Sequence, residues 1–322
     1  MHTTKELQKK VSEIFDNQNY IGEPKGLYEP IQYSLSQGGK RLRPLLALLG
    51  CSVFGGDLEK VIPPAIGLEI FHNFTLLHDD IMDQAAIRRG QPSVYTKWDT
   101  NTAILSGDTM FVLAYDYVTK TEAKYLVDVL QIFNQTAREV CEGQQYDMNY
   151  ETQEFVGVKD YIEMIRLKTA VLIAAALKIG AIVAAADAKD TQKIYDFGIN
   201  IGLAFQLRDD LLDAFGEQEV FGKPIGNDIV TNKKTFLYII AYDKADSSQT
   251  DRLDRSFKLQ NNVEKVSSVL EIYNQLDIKK ETEKMIETYF EKSIQYLDNI
   301  TLAKEKKEEL YSFAKGLMSR EV

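Results

Sequence analysis

An all-α fold is what the 322-residue sequence predicts, and three observations carry the prediction. Proline is confined: six of the seven prolines lie at or before Pro92 and the seventh is Pro224, so residues 93–223 form one proline-free run. Residues 227–315 contain neither proline nor glycine, which concentrates the helix-breakers in a few loops. Between those loops apolar residues recur at helical spacing, as Ile286, Phe290, Ile294 and Leu297 do near the C-terminus. No stretch alternates as a strand would, and no hairpin signal of any length stands out.

Composition fits a folded chain with a sizeable core, at 44% hydrophobic and 27% charged residues. No Ser/Gly/Pro-rich linker divides it, so residues 1–322 are expected to form a single large helical bundle around a central apolar cavity. The polar stretch DKADSSQTDR, Asp243 to Arg252, reads as a surface loop between helices. The N-terminal MHTTKELQKKVSEIF is amphipathic and lacks the apolar core of a secretion signal. The most apolar run, Ala170 to Ala186, carries Lys178 at its centre and much alanine, so a buried core helix is expected there, with no membrane span. A cytoplasmic location follows. Cys51 and Cys141 fit no metal-ligand spacing and read as two buried apolar thiols in a reducing compartment. The net charge of −10 argues against nucleic acid as a partner, yet local cations or bound metals can still make an anion site.

The chemistry starts with two acidic pentads. LLHDDIMD groups Asp79, Asp80 and Asp83, and FQLRDDLLD groups Asp209, Asp210 and Asp213. On a helix, residues four apart share a face with Cβ atoms about 6 Å apart, which pairs Asp79 with Asp83 and Asp209 with Asp213. Like charges that close, beside apolar residues, are unfavourable unless a cation neutralises them. Magnesium suits such pairs, because it takes a few carboxylates, keeps waters and completes its shell with substrate phosphates. One pentad alone would read equally well as solvated surface; two, each flanked by leucines and followed by basic residues, do not.

Three basic clusters accompany them. Gly38-Gly39-Lys40-Arg41-Leu42-Arg43-Pro44 is a glycine turn opening onto a helix, able to cradle an anion with backbone amides and cations. It lacks the upstream glycine and following Ser/Thr of a Walker A loop. Arg88-Arg89-Gly90-Gln91-Pro92 follows the first pentad, and its guanidinium forks suit phosphate oxygens. Gly222-Lys223-Pro224-Ile225-Gly226-Asn227-Asp228, with Lys233 and Lys234 beyond, follows the second and reads as a loop able to close over phosphates. Glu69, His72, His78 and Asp79 superficially suggest a histidine-rich metal site, but with only three histidines in the chain His78 reads as a packed or hydrogen-bonded helix residue.

GGKRLRP, LLHDDIMD, RRGQP, the Lys168-Thr169 pair and FQLRDDLLD with GKPIGND resemble, in order and spacing, the trans-prenyl diphosphate synthases. The resemblance runs from about Gly38 to Lys234 and implies the isoprenoid synthase fold, a homodimer, and about three magnesium ions per active site. It implies that Asp79, Asp83 and Asp209 hold the metal, with Asp80, Asp210 and Asp213 completing the clusters. Arg88, Lys168, Lys223 and Lys233 would contact an allylic diphosphate. Lys40, Arg43, His72 and Arg89 would hold isopentenyl diphosphate, while Thr169 and Gln206 would lie near the developing cation. Lys234 is the alternative to its neighbour Lys233. A class I terpene cyclase, or a non-catalytic subunit of a heteromeric synthase, would also share parts of the pattern. The cyclase normally replaces the second pentad with an Asn, Ser/Thr and Glu motif, and the subunit loses aspartates; here all six stand.

Product length is expected to depend on Phe74, five residues before Asp79, with Phe71 behind it and the small Thr75 beside it. An aromatic at that position marks short-chain members of the family. A product of fifteen or twenty carbons is expected, twenty slightly favoured.

Overall fold

The computed structural model describes residues 2–216 and 226–319. Its helices run in chain order as α1 Thr4–Asp16, α2 Lys25–Ser36, α3 Leu42–Val53, α4 Leu58–Met82, α5 Val94–Lys97, α6 Thr100–Val118, α7 Ala123–Thr152, α8 Val158–Ile165, α9 Val171–Val183 and α10 Ala188–Phe215. A π-helical turn, Arg166–Ala170, joins α8 to α9 without a break. Beyond residue 225 lie α11 Asn227–Val230, α12 Phe236–Lys244, α13 Ser247–Phe257, α14 Asn262–Gln275, α15 Ile278–Asp298 and α16 Lys304–Ser319. The all-α expectation holds, and among the described residues no helix is long and apolar enough to cross a membrane.

Two apolar cores stack along α10. Its N-terminal half contributes Ile194, Phe197 and Ile201 to a core shared with α3, α4, α6, α7 and α9. Its C-terminal half contributes Leu203, Leu207 and Leu211 to a second core closed by α8, α12, α14 and α15. The apolar run around residue 178 becomes α9, fully buried except on the side of Lys178, whose Nζ reaches Gln192 Oε1 at 3.0 Å and lies over the Tyr195 ring. Helices α3 and α9 approach until a Cβ at Gly180 would fall 2.2 Å from the Ala47 carbonyl oxygen, so glycine is required at that crossing.

Four expectations are corrected. A two-stranded antiparallel hairpin exists, β1 Ile87–Arg88 with β2 Gln91–Pro92, in register Ile87 to Pro92 and Arg88 to Gln91. Its turn is Arg89-Gly90, both at positive φ (52° and 76°), the backbone that a two-residue hairpin demands, and it is too short to leave an alternating pattern. Residues 243–252 are mostly helical: α12 runs to Lys244 and α13 begins at Ser247, started by a capping box between Asp246 and Gln249. Cys141 is exposed on α7, while Cys51 is buried as expected. The prolines are not all in loops either, since Pro30 lies within α2 and Pro63 and Pro64 within α4. Each sits in the second turn of its helix, and the carbonyls four residues earlier, on Gly26, Glu59 and Lys60, belong to residues that reach solvent, so water can replace the missing N–H.

Candidate active site

The first acidic motif ends α4. Asp83 caps the helix, and its N–H donates to the Asp79 carbonyl at 2.8 Å, which preserves the four-residue spacing. Asp80 turns inward and is 4% exposed. The hairpin brings Arg88 back onto the motif, with Nε donating to Asp80 Oδ1 at 2.6 Å and Nη2 to Asp79 Oδ2 at 3.3 Å. Burial nevertheless raises the Asp80 carboxyl to about 6, against the pull of Arg88. Asp83 is raised too, by burial first and by Asp79 second.

The second motif occupies consecutive turns of α10. Asp210 and Asp213 are buried, and Asp209 is half-buried. Asp210 accepts from the Tyr161 hydroxyl of α8 and, at 3.0 Å, from Gln206 Nε2. Thr169 in the π-turn donates in turn to Gln206 Oε1 at 3.0 Å, so Thr169, Gln206 and Asp210 form one chain. Burial pushes Asp210 up to about 8, with Asp228 adding to the effect. Asp213 accepts from the Asp228 N–H at 2.9 Å through its side chain and from Gly226 N–H at 2.6 Å through its carbonyl. These bonds tie the motif to the chain that follows it.

The lysines join the two motifs. Lys168, in the π-turn, places Nζ 3.2 Å from Asp79 Oδ1 and 2.6 Å from Asp147 Oδ2 of α7. Lys233 reaches the same Asp147 oxygen at 3.4 Å. Burial disfavours the Lys233 charge, but Asp147, Asp228, Asp210 and Asp83 outweigh it and hold the ammonium protonated. Lys234 turns the other way and donates to the carbonyls of Tyr150, Glu151 and Gln153, capping α7. Of these adjacent lysines, Lys233 is the one facing the acidic motifs. Lys223 lies outside the described residues.

A second basic pole forms from Arg43, His72 and Arg89, with Lys40 exposed at its edge. Arg89 donates through Nη1 to the Gly38 carbonyl, and its guanidinium lies where a Cβ at Gly39 would be, 2.7 Å from Cζ. Gly39 is also at φ +119°, so both space and backbone demand glycine. Burial lowers the Arg43 pKa, with Arg89 adding to the effect and the fields of Glu69 and Asp209 opposing it, and the guanidinium stays charged. Burial also drives His72 well below the usual imidazole range, helped by Arg43, Arg89, Arg88 and Arg41, so its ring is neutral at pH 7. His78 is hydrogen-bonded and packed, as expected, with Nε2 3.2 Å from the Ile104 carbonyl oxygen and its ring against Phe74.

Among the described residues no three acidic, histidine or cysteine side chains converge into a closed metal cage. What stands there instead is an all-oxygen donor set of carboxylate pairs. Asp80, Asp83 and Asp210 carry burial costs that a bound cation would relieve. That is the donor chemistry of magnesium, which seldom uses an all-protein cage.

Behind Asp79 an aromatic layer closes α4 against α6 and α7. Phe74 stacks on Phe111 at 5.1 Å and 22°, and Phe71 touches Phe74, Phe111 and Phe133 at 5.5 to 5.8 Å. Thr75 returns its hydroxyl to the His72 carbonyl at 2.8 Å.

Three participants escaped the sequence. Asp147 is a single aspartate on a polar helix face, with no motif of its own, and only the tertiary fold gives it two lysines. Tyr161 belongs to no motif either, and its role shows only in its bond to Asp210. Arg41 reads as one more cation of the glycine turn, yet it turns away to pair with Glu69 at 3.0 Å, where Glu69 is 1% exposed and also accepts from Asn73. The one available hint was Glu69 itself, an acid in an otherwise apolar stretch of α4.

Known proteins resemble this chain in sequence and in fold. The polyprenyl synthetase family model matches residues 24–276. The geranylgeranyl diphosphate synthase of Methanosarcina mazei is 41% identical over 226 residues, 70% of each chain. A solved geranylgeranyl pyrophosphate synthase is 43% identical over 99% of both chains, with a TM-score of 0.94. A geranylgeranyl pyrophosphate synthase from Corynebacterium glutamicum, solved with isoprenyl diphosphate and magnesium, is 27% identical over 98% of both chains at a TM-score of 0.85. Both aspartate motifs, the two basic poles and the π-turn all fall inside the matched region, and the chain belongs to the polyprenyl synthetase family.

Proposed function

We propose that this protein is a magnesium-dependent trans-prenyltransferase, acting as one catalytic unit, that joins isopentenyl diphosphate head-to-tail to an allylic diphosphate. The observation that carries it is the junction at Asp79, where Arg88 and Lys168 meet a carboxylate that Lys168 links onward to Asp147 and Lys233. Cations interleaved with acids are what a metal-bridged diphosphate requires.

Magnesium held by Asp79, Asp83 and Asp209, with Asp80, Asp210 and Asp213 completing the two clusters, would supply neutralisation of charge on the departing diphosphate. Arg88, Lys168 and Lys233 grip the allylic diphosphate, with Lys223 as a fourth contact from outside the described residues. Lys40, Arg43, Arg89 and the neutral His72 orient isopentenyl diphosphate. The allylic C–O bond breaks and its electron pair leaves with diphosphate. The isopentenyl double bond then attacks the allylic cation, forming the new C–C bond. A proton is lost from the resulting cation to the released diphosphate. Thr169 and Gln206, fixed in line with Asp210, present oxygen dipoles beside the cation, and the apolar layer at Phe74 excludes water. A twenty-carbon product is favoured over fifteen by the geranylgeranyl synthases that the chain resembles, with the Phe74 ring as the proposed stop.

The test is mass analysis of products from isopentenyl diphosphate with dimethylallyl, geranyl and farnesyl diphosphates supplied separately. No chain extension from any primer would overturn the proposal. Arg43→Ala is expected to raise the Michaelis constant for isopentenyl diphosphate about tenfold or more and to leave that of the allylic substrate nearly unchanged, the loss scale of a charged hydrogen bond. An equal rise in both, from initial rates with each substrate varied, would mean the poles are assigned wrongly. A homodimer is also proposed, resting on Ile104, Leu105 and Val112 of α6 and Val127 of α7, which stand exposed. Sedimentation equilibrium should give twice the 36.6 kDa of one chain, and a monomer at micromolar concentration rules the dimer out.

A further inference from the structure

We infer that Asp147 is a positioning residue for the transfer reaction, the half-buried carboxylate that gathers Lys168 and Lys233 into one cationic clamp at the allylic diphosphate. Three separate elements meet here: Asp147 lies on α7, Lys168 in the π-turn, and Lys233 in the segment before α12. Both ammonium groups converge on one oxygen, Oδ2, at 2.6 and 3.4 Å. The Asp147 side chain is 13% exposed, whereas the Lys168 and Lys233 side chains are 23% and 39% exposed, so the shared carboxylate is the most covered of the three groups.

The backbone fixes this reach. One turn before Asp147, Gly143 brings α7 so close to the π-turn that a Cβ there would fall 2.3 Å from the Lys168 nitrogen. The distance from Asp147 to Lys168 is therefore set by main-chain contact, not by the flexibility of the lysine stem. A lysine is a point charge on four rotatable bonds, and two of them aimed at one ligand repel each other. A shared counter-charge cancels that repulsion and holds both aims before substrate arrives. The ion pairs of Asp147 are with these two lysines, and its assigned role is to act through them.

The signature differs from that of a binding residue. Asp147→Asn removes a negative charge from the pocket of an anionic ligand, so ground-state attraction does not weaken. The lysines lose their aim toward the leaving group instead. The expectation is a kcat lowered by about tenfold or more, with the Michaelis constant for the allylic diphosphate unchanged or lower and that for isopentenyl diphosphate unchanged. In a Lys233→Ala background the same substitution should cost several-fold less than in the parent, because half of the clamp is already gone. A kcat within twofold of the parent, a rise in either Michaelis constant, or full additivity with Lys233→Ala overturns the inference. Circular dichroism equal to the parent's is the condition for using the variant. If the asparagine variant fails it, Asp147→Glu replaces it, moving the charge by one methylene; the same split at smaller size is expected, and an unchanged kcat overturns the inference. The inference rests on the proposed prenyl transfer: a parent protein that makes no product defeats that function, whereas an active parent with an unimpaired Asp147→Asn defeats only the role of Asp147.

Discussion

Alanine at Asp79 or at Asp209 is expected to lower turnover at least about a hundredfold, the scale of losing a principal electrostatic contributor to the transition state. Asp79 stands where Arg88 and Lys168 converge, so its loss removes a proposed metal ligand and leaves two cations without their common anion. Asp209 is expected to matter for a related reason. It lies near enough to Arg43 for its field to act on that guanidinium, which makes it the member of the second motif that faces the proposed isopentenyl pole. Both side chains are partly exposed, so the fold should survive either change. Steady-state turnover with both substrates in saturating magnesium is the measurement, with melting temperature as the control. Near-parental turnover by either variant, or by the parent in excess chelator, would sink the metal role.

The acidic motifs were legible because their chemistry is local. Asp79 with Asp83, and Asp209 with Asp213, share a helix face by spacing alone, and the helices follow from where proline and glycine are absent. The hairpin at Arg88 was not legible, since it consists of two residue pairs around Arg89-Gly90 and has no room to alternate. Residues 243–252 misled for the opposite reason: α13 is a polar surface helix, and its composition resembles a loop. Its capping pair, Asp246 with Gln249, was the signal that could have corrected the error. Lys233 and Lys234 could not be told apart in sequence, because only the α7 carbonyls and the Asp147 carboxylate, both distant in the chain, send them in different directions. The same holds for Arg41 and Arg43. Charge type is written in the sequence, but which charges pair with each other and which remain for a ligand is decided by tertiary contacts.

Phe74→Ala is expected to shift the product distribution toward longer chains. Phe74 lies roughly 7.5 Å along the helix axis from Asp79, at 1.5 Å per residue, which puts its ring in the path of a chain growing away from the diphosphate. The ring is only half-buried, and it rests against Phe111, Phe71 and His78. Thr75 offers little obstruction beside it, since its hydroxyl is turned back to the His72 carbonyl. Removing the Phe74 ring therefore opens space at the floor without emptying the core, and the stability cost should fall below the ~3–5 kcal/mol of a fully buried phenylalanine. Phe71 behaves differently. It is 1% exposed and packs on Phe133 as well, so Phe71→Ala should cost the full amount before it affects length. The expected outcome for Phe74→Ala is a folded enzyme whose main product gains at least one five-carbon unit, with Phe71 as the next barrier. Mass analysis of the dephosphorylated prenols from parent and variant, at equal conversion, decides it. An active, folded Phe74→Ala with the parental product distribution would mean that this ring packs α4 against α6 and does not set chain length.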